Sequence, residues 1–276
     1  MSSVLVSQLR DGLTRHQLRR ALWDLYHGGR RYHLWITIGL QEIRQKYRRS
    51  MLGPFWITLS MGVMIFALGL LYGMIFRQDL SAYLPYLAAG FVSWGLIQAL
   101  VLEGSNAFIA AEPMMRQLAA PTSIYCYRVV WSALLNFLHT IWIFFFVAIL
   151  FGSPVNAMWL WGLPALALIL INGVWIGLLL GLLSARFRDV PLIVTNVVQV
   201  MFFITPIIWR PDMIPQRIVL LDWNPFYHLV AILRNALLGQ PPAWENWLVV
   251  LGITVAGWGL ALFFYTVYRW RIVYWV

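Results

Sequence analysis

The chain has 276 residues, 61% of them apolar and 11% charged, with a mean hydropathy of +0.74 and a formal charge of +10. A soluble domain would carry about 25% charged residues, so the composition excludes a soluble globular protein and points to one membrane-embedded bundle. The excess of base is read as a topology signal and as contact with anionic lipid, not as nucleic-acid binding, because half the Arg and Lys residues lie before Ser50, beside the first apolar span.

Cys126 is the one cysteine, which excludes an internal disulfide, a redox pair and a zinc cluster. No cleavable signal peptide is expected, since the first apolar run is too long for an h-region.

In chain order, residues 1–30 set Arg10, Arg15, Arg19 and Arg20 against Leu9, Leu13, Leu22 and Leu25. This predicts a short amphipathic helix, broken at Gly28-Gly29. In 32–49, Ile36, Leu40, Ile43 and Tyr47 recur at i, i+4, i+7 and i+11, and Thr37, Gln41, Arg44 and Arg48 follow the same spacing one position on. The two stripes predict a helix lying in the membrane surface, either a plain anchor or one that also touches a partner protein. Water chemistry gives way to hydrocarbon chemistry at 45–58: a basic cluster leads to Gly53-Pro54, and no charge follows until Arg77. Pro54 suits a first helical turn, where its missing N–H is not needed.

The predicted fold class is all-α and integral to the membrane, with six transmembrane helices at about 51–76, 82–111, 129–151, 158–185, 190–209 and 247–268. Residues 1–50 are read as a cytoplasmic interfacial region and 51–276 as the transmembrane domain. Arg77 and Asp79 close the first span. The second carries Pro85, Gln98, Glu103 and Asn106 and runs into a polar break from Glu112 through Arg116, Gln117, Pro121 and Arg128. The stretch 129–185 has no formal charge and divides at Gly152-Ser153-Pro154-Val155-Asn156. In 213–244, Asp222, Asn224-Pro225, His228 and Arg234 interrupt any full span, which predicts short re-entrant helices. Six spans place both termini in the cytoplasm and leave only Arg77, Arg210, Arg217 and Arg234 of the basic residues on the outer side, as the positive-inside rule asks.

Phosphate-loop chemistry is absent. The chain has one lysine, Lys46, and Gln45 precedes it, so no Gly-Lys-Ser/Thr is present. No His-Glu-x-x-His or metal-ligand spacing occurs, and the nearest acid–base pair, Glu103 and His139, falls on different spans. We therefore expect no enzyme activity, metal or cofactor on this chain, with any ATP and Mg held by a separate partner.

Five segments in order carry a family resemblance: 46–56 (Lys-Tyr-Arg-Arg-Ser-Met-Leu-Gly-Pro-Phe-Trp), 185–190 (Ala-Arg-Phe-Arg-Asp-Val), 205–208 (Thr-Pro-Ile-Ile), 224–227 (Asn-Pro-Phe-Tyr) and 234–239 (Arg-Asn-Ala-Leu-Leu-Gly). From about residue 30 onward the chain resembles the permease subunit of ABC-2-type polysaccharide exporters, most of all the O-antigen branch. The resemblance implies a homodimer paired with two ATPase subunits in a bacterial inner membrane, moving a lipid-linked polysaccharide through a channel between the permease copies. It implies coupling contacts from 32–49 and 112–127, and short outer-side helices in 213–240. Exporters of capsule, teichoic acid, drugs or lipids are the alternatives within that class. A membrane-embedded glycosyl- or acyltransferase would need a carboxylate or His cluster in a sizeable loop, and a secondary transporter would show internal repeats; neither is found.

The candidate coupling residues are Arg44, Arg48, Glu112, Arg116, Gln117, Arg186, Arg188 and Asp189. The Arg186-Phe187-Arg188-Asp189 loop reads either as a topology marker with a solvated ion pair or as a contact to the ATPase or to lipid phosphate. Glu103 reads as a cytoplasmic-rim or a pathway residue. Asn136 and His139, i and i+3 on the third span, are expected to make an interhelical hydrogen bond. Asn196, Gln199 and Phe203 share one face of the fifth span and, with Trp56 and Ser60, are the candidate channel lining; helix packing is the alternative. Trp209, Trp223, Phe226 and Tyr227 are the candidate outer gate, with Pro206, Pro211, Pro215 and Pro225 holding short plugging helices.

Overall fold

In hydrocarbon, a run of about 20 apolar residues satisfies its own backbone only as a helix. The long uncharged runs of this chain are helical in its computed structural model, which describes all but residues 1, 2, 47, 49, 50, 52, 54, 119, 153–155 and 214–218. Side chains are described from residue 15 onward, apart from Lys46, Met213 and Val219. The helices are α1 (Ser3–Arg30), α2 (Tyr32–Lys46), α3 (Phe55–Ile75), α4 (Leu80–Ser105), α5 (Glu112–Gln117), α6 (Ile124–Leu150), α7 (Gly162–Arg186), α8 (Val190–Ile204), α9 (Val219–Asp222), α10 (Pro225–Leu237), α11 (Trp244–Tyr268) and α12 (Ile272–Trp275). Among the described residues there is no strand. Among the described residues, five stretches are long and apolar enough to cross a membrane: α3, α4, α6, Ala157–Arg186 and Trp244–Trp275. At 15 residues, α8 is about 22 Å long and stops short of a hydrocarbon core about 30 Å thick.

Several boundaries differ from the sequence reading. The helix of residues 1–30 is not broken at Gly28-Gly29; α1 runs through to Arg30. Gly28 is there for close approach, since a Cβ on it would lie 2.1 Å from the Ser123 Oγ. The second span ends at Ser105 instead of Ala111, and the third begins at Ile124, which moves Arg128 from the polar break into a helix. The fifth ends at Ile204 instead of Trp209: Pro206 has no N–H to continue the helix and disfavours helical geometry at Thr205. Pro54, Pro215, Arg217 and the centre of the 152–156 turn lie outside the described residues.

Local chemistry fixes the other ends. Asp79 caps α4 through Ser81, whose hydroxyl and then N–H hold the Asp79 carboxyl below the usual carboxylate range. The Asn224 Oδ1 accepts from Phe226 N at 2.9 Å and Pro225 opens α10, a capped start with proline in the first turn.

The core forms around α4, 83% of whose most apolar stretch is buried. α6, α7, α10, α3 and α8 all pack on it, and α11 packs on α7. Where α4 crosses α7, a Cβ on Gly104 would come within 3.2 Å of the Gly177 Cα, so the two backbones touch with no side chain between them.

After α8 the chain is irregular from 205 to 209, yet Thr205, Pro206 and Ile207 are buried. Exposed carbonyls are not tolerated in hydrocarbon, and here side chains from two other helices cap them. The Tyr83 hydroxyl donates to Ile208 O at 2.6 Å, the Tyr86 hydroxyl lies 3.0 Å from Pro206 O and 3.2 Å from Trp209 O, and Arg234 Nη1 donates to Pro206 O at 2.5 Å.

Candidate functional site

One end of the bundle gathers α1, α2, α5, α12 and the adjoining ends of α4, α6, α7 and α11. Its centre is Asp24, 5% exposed on α1. Its carboxylate accepts from Ser123 N at 3.0 Å, Thr122 N at 3.1 Å, Tyr265 Oη at 2.7 Å and Arg269 Nη1 at 3.1 Å. With the Tyr265 proton given to Asp24, the Thr122 hydroxyl donates to Tyr265 Oη at 2.6 Å. The Ser123 hydroxyl also donates to Asp24 O, at 2.9 Å. A buried carboxylate is stable only when paired and hydrogen-bonded, and Asp24 meets that condition by tying α1, the loop before α6 and the end of α11 into one unit.

Beside this junction α2 crosses the start of α6. Arg128, whose side chain is 7% exposed, pairs through Nη1 with Glu42, and the Ser132 hydroxyl lies 3.5 Å from Glu42 Oε2. A cleft of about 400 Å³ opens here, lined by Glu42, Glu103, Asn106, Arg128, Ser132 and Asn136 among others. Glu103 is exposed, two residues before the end of α4, which places it at a rim.

The candidate coupling residues all lie at this end and are at the surface. Arg44 and Arg48 are exposed on the outer face of α2 and just past it. Glu112 and Arg116 form an ion pair of 2.6 Å on α5, with Gln117 exposed next to them. Arg186 lies 5.2 Å over the Trp275 ring, and Arg188 Nη2 donates to Trp275 O at 3.2 Å. Among the described residues neither arginine pairs with Asp189; both reach α12, which itself contacts α5.

The candidate channel residues are surface residues of the single chain. Trp56 is 54% exposed, and the Ser60 hydroxyl is spent on Trp56 O of its own helix, at 2.9 Å. α8 turns Val198 and Phe202 inward, Phe202 against Trp94 at 5.6 Å, and leaves Asn196, Gln199 and Phe203 outward. The outer-gate aromatics do not converge. Trp223 is 82% exposed, Phe226 packs on Trp94, Tyr227 stands edge-on to His228, and Trp209 Nε1 donates to Phe203 O at 3.2 Å. The expected interhelical bond of Asn136 and His139 is also replaced: His139 Nδ1 bonds to Leu135 O of its own helix, and the link between α3 and α6 is Thr58 Oγ1 to His139 O at 2.6 Å.

Sequence reasoning missed Asp24, Glu42, Arg128 as a buried partner, Tyr265, and the Tyr86–Arg234 pair. The usable signal was sign: Asp24 and Glu42 are isolated acids inside strongly basic segments.

The chain is a helical membrane bundle with a polar end built around Asp24. The family comparison agrees: residues 33–238 match the model of the ABC-2 type transporter, and the chain belongs to that family. Two O-antigen export system permease proteins RfbA of Klebsiella pneumoniae are each 24% identical over 248 residues, covering 88% of this chain and 96% of theirs. A third, from Myxococcus xanthus, is 24% identical over 202 residues, 71% of this chain and 77% of its own length. The chain is thus a multi-pass ABC-2 permease similar to O-antigen exporters.

Proposed function

We propose that this permease is the membrane subunit of an ATP-driven exporter that carries a lipid-linked, O-antigen-like polysaccharide across the bacterial inner membrane, through a channel between two copies of the chain. The observation that carries it is the outward face of α8. Asn196 and Gln199 stand exposed on an apolar helix, and polar side chains at membrane depth need protein or water beside them. Among the described residues nothing covers them, and in this reading a second copy and a hydrated path supply that partner. The names of the relatives support the substrate class.

In this reading α8, extended by 205–209, completes a sixth crossing, and both termini face the cytoplasm. Two copies of an ATPase chain, holding ATP and Mg, dock at the Asp24 end, on α5, on the exposed face of α2 and on the 186–189 loop. This chain contributes no catalytic group. The test is ATP turnover by the purified pair together with export in cells. Turnover that depends on this subunit, and export abolished by Asn196→Leu and Gln199→Leu with normal assembly, support the reading. Full export in that variant removes the α8 channel.

A further inference from the structure

The last membrane-crossing stretch, Trp244–Trp275, ends in a basic and aromatic run, Arg269-Trp270-Arg271, the chemistry of the headgroup level. A pocket of about 460 Å³ opens there, between α1, the chain leading from α5 to α6, and residues 269–273. Its lining is of two kinds. Trp23, Leu118, Trp270 and Val273 are apolar and half-exposed. Arg31 and Arg269 are cationic. Arg269 is held in place by Nη1, which donates to Arg20 O at 2.8 Å and to Asp24 at 3.1 Å. The exposed Arg31 side chain has no hydrogen bond or ion pair among the described residues. Arg271 lies 4.7 Å over the Trp270 ring, which brings a third guanidinium to the edge. The one acid of the lining, Asp24, is buried and already spent on Thr122, Ser123, Tyr265 and Arg269.

We infer that this pocket binds the headgroup of an anionic phospholipid, its phosphate against Arg31 and Arg269 and its acyl chains leaving past Trp270 and Val273. The occupant follows from charge and setting. Three guanidiniums stand against one carboxylate, which leaves the site positive, and a phosphodiester is negative. A zwitterionic headgroup carries its own cation beside the phosphate and gains less. Guanidinium forks also match phosphate oxygens better than an ammonium does. The setting separates a lipid from a protein segment: tryptophans interleaved with arginines at the end of a crossing helix are the side chains that meet headgroups. The lipid is a resident of the bilayer and not cargo, so the site stands apart from the exporter reading.

The test uses the purified full chain, alone and with its ATPase partner added, in phosphatidylcholine nanodiscs. The probe is a phosphatidylglycerol carrying a diazirine near the ester end of one acyl chain. Crosslinks are expected on the peptides holding Leu118 and Val273, with and without the ATPase. Excess plain phosphatidylglycerol should displace them, and glycerol 3-phosphate should not. A phosphatidylcholine with the same diazirine should label these peptides no more than any other exposed helix. Arg31→Gln, at an exposed side chain with no described partner to lose, should reduce the labelling about fivefold. Arg44→Gln, exposed on α2 and outside the pocket, should leave it unchanged. Labelling spread evenly over the exposed helices, equal labelling by the phosphatidylcholine probe, or an equal loss in Arg44→Gln overturns the site. Displacement by glycerol 3-phosphate would make it a site for soluble phosphates and overturns the lipid. Loss of the crosslinks on adding the ATPase would make the pocket a protein contact and overturns it too. Export enters none of these outcomes, so the exporter reading stands or falls separately.

Discussion

Tyr86 and Arg234, 148 positions apart, hold one another beneath the irregular segment that follows α8: Arg234 Nη1 donates to Tyr86 Oη at 2.8 Å, and the guanidinium lies 4.6 Å over the Tyr86 ring. Arg234 is 4% exposed, and among the described residues no carboxylate pairs with it. Its charge is met by carbonyl and hydroxyl oxygens and by a ring face, which is worth most where water is excluded. Residues 205–209 therefore stay in place through side chains of α4 and α10, not through their own backbone pairing.

Tyr86→Phe should loosen that segment. Removing the hydroxyl leaves Trp209 O without this donor and Arg234 without this acceptor, at about 1–3 kcal/mol, or about 5- to 150-fold in local opening. Cys126 is buried, so a maleimide assay on Ile207→Cys has a low background. Ile207 is 0% exposed, and its labelling rate in the Tyr86→Phe chain should rise at least about fivefold. An unchanged rate would show that Tyr83 and Arg234 suffice.

At the opposite end, Asp24→Asn should cost more than Tyr265→Phe. The first removes the charge opposite Arg269 and weakens several bonds to α6 and α11; the second removes one hydroxyl, at about 1 kcal/mol. Thermal aggregation of the detergent-solubilised chain, followed by size-exclusion chromatography, gives the order. A Tyr265→Phe midpoint below that of Asp24→Asn would contradict the junction described.

The Glu42–Arg128 pair should show strong coupling. Glu42→Gln leaves Arg128 buried without its carboxylate. The expected cost is about 1–3 kcal/mol, below that of a fully buried pair because the Glu42 side chain is 42% exposed. Arg128→Met combined with Glu42→Gln should recover most of it in a double-mutant cycle. Additive losses would mean that the two side chains act separately.

Gly53 sits at φ 57, in the left-handed region, between α2 and α3. Leucine there is strained by about 1–2 kcal/mol, although a Cβ would meet no neighbour within 4 Å. Gly53→Leu should leave the chain in the membrane and change the angle between α2 and α3, so that ATP is used without export. Export per ATP at the wild-type ratio would reduce the position to a plain turn.

The long spans were legible because they depend on local composition: α3 follows an uncharged run, α6 and α11 carry charge only near their starts, and Asn224-Pro225 marks the start of α10. The exposed faces of α2 and α5 were legible for the same reason. What tertiary partners decide was not. Arg128 ends a polar stretch in the sequence, and nothing local says that it is buried against Glu42. Gly28-Gly29 looks like a break until Ser123 and Tyr127 are seen packed on it. The hydropathy of 190–209 is continuous across Pro206, so the place where the helix ends is hidden in a scale that counts only side chains. The aromatics of 209–227 are close in sequence, yet α4 and α8 draw them to different partners.

The Asp24 junction also sets a calendar for the molecule. Asp24 leaves the ribosome before Tyr265 and Arg269, which lie 241 and 245 positions later. Until then the carboxylate has only the 122–123 amides and water, and the first helix is held provisionally. Completion of α11 fastens it. A nascent chain stalled before Tyr265 therefore lacks two of the donors that hold the Asp24 carboxylate in the finished fold.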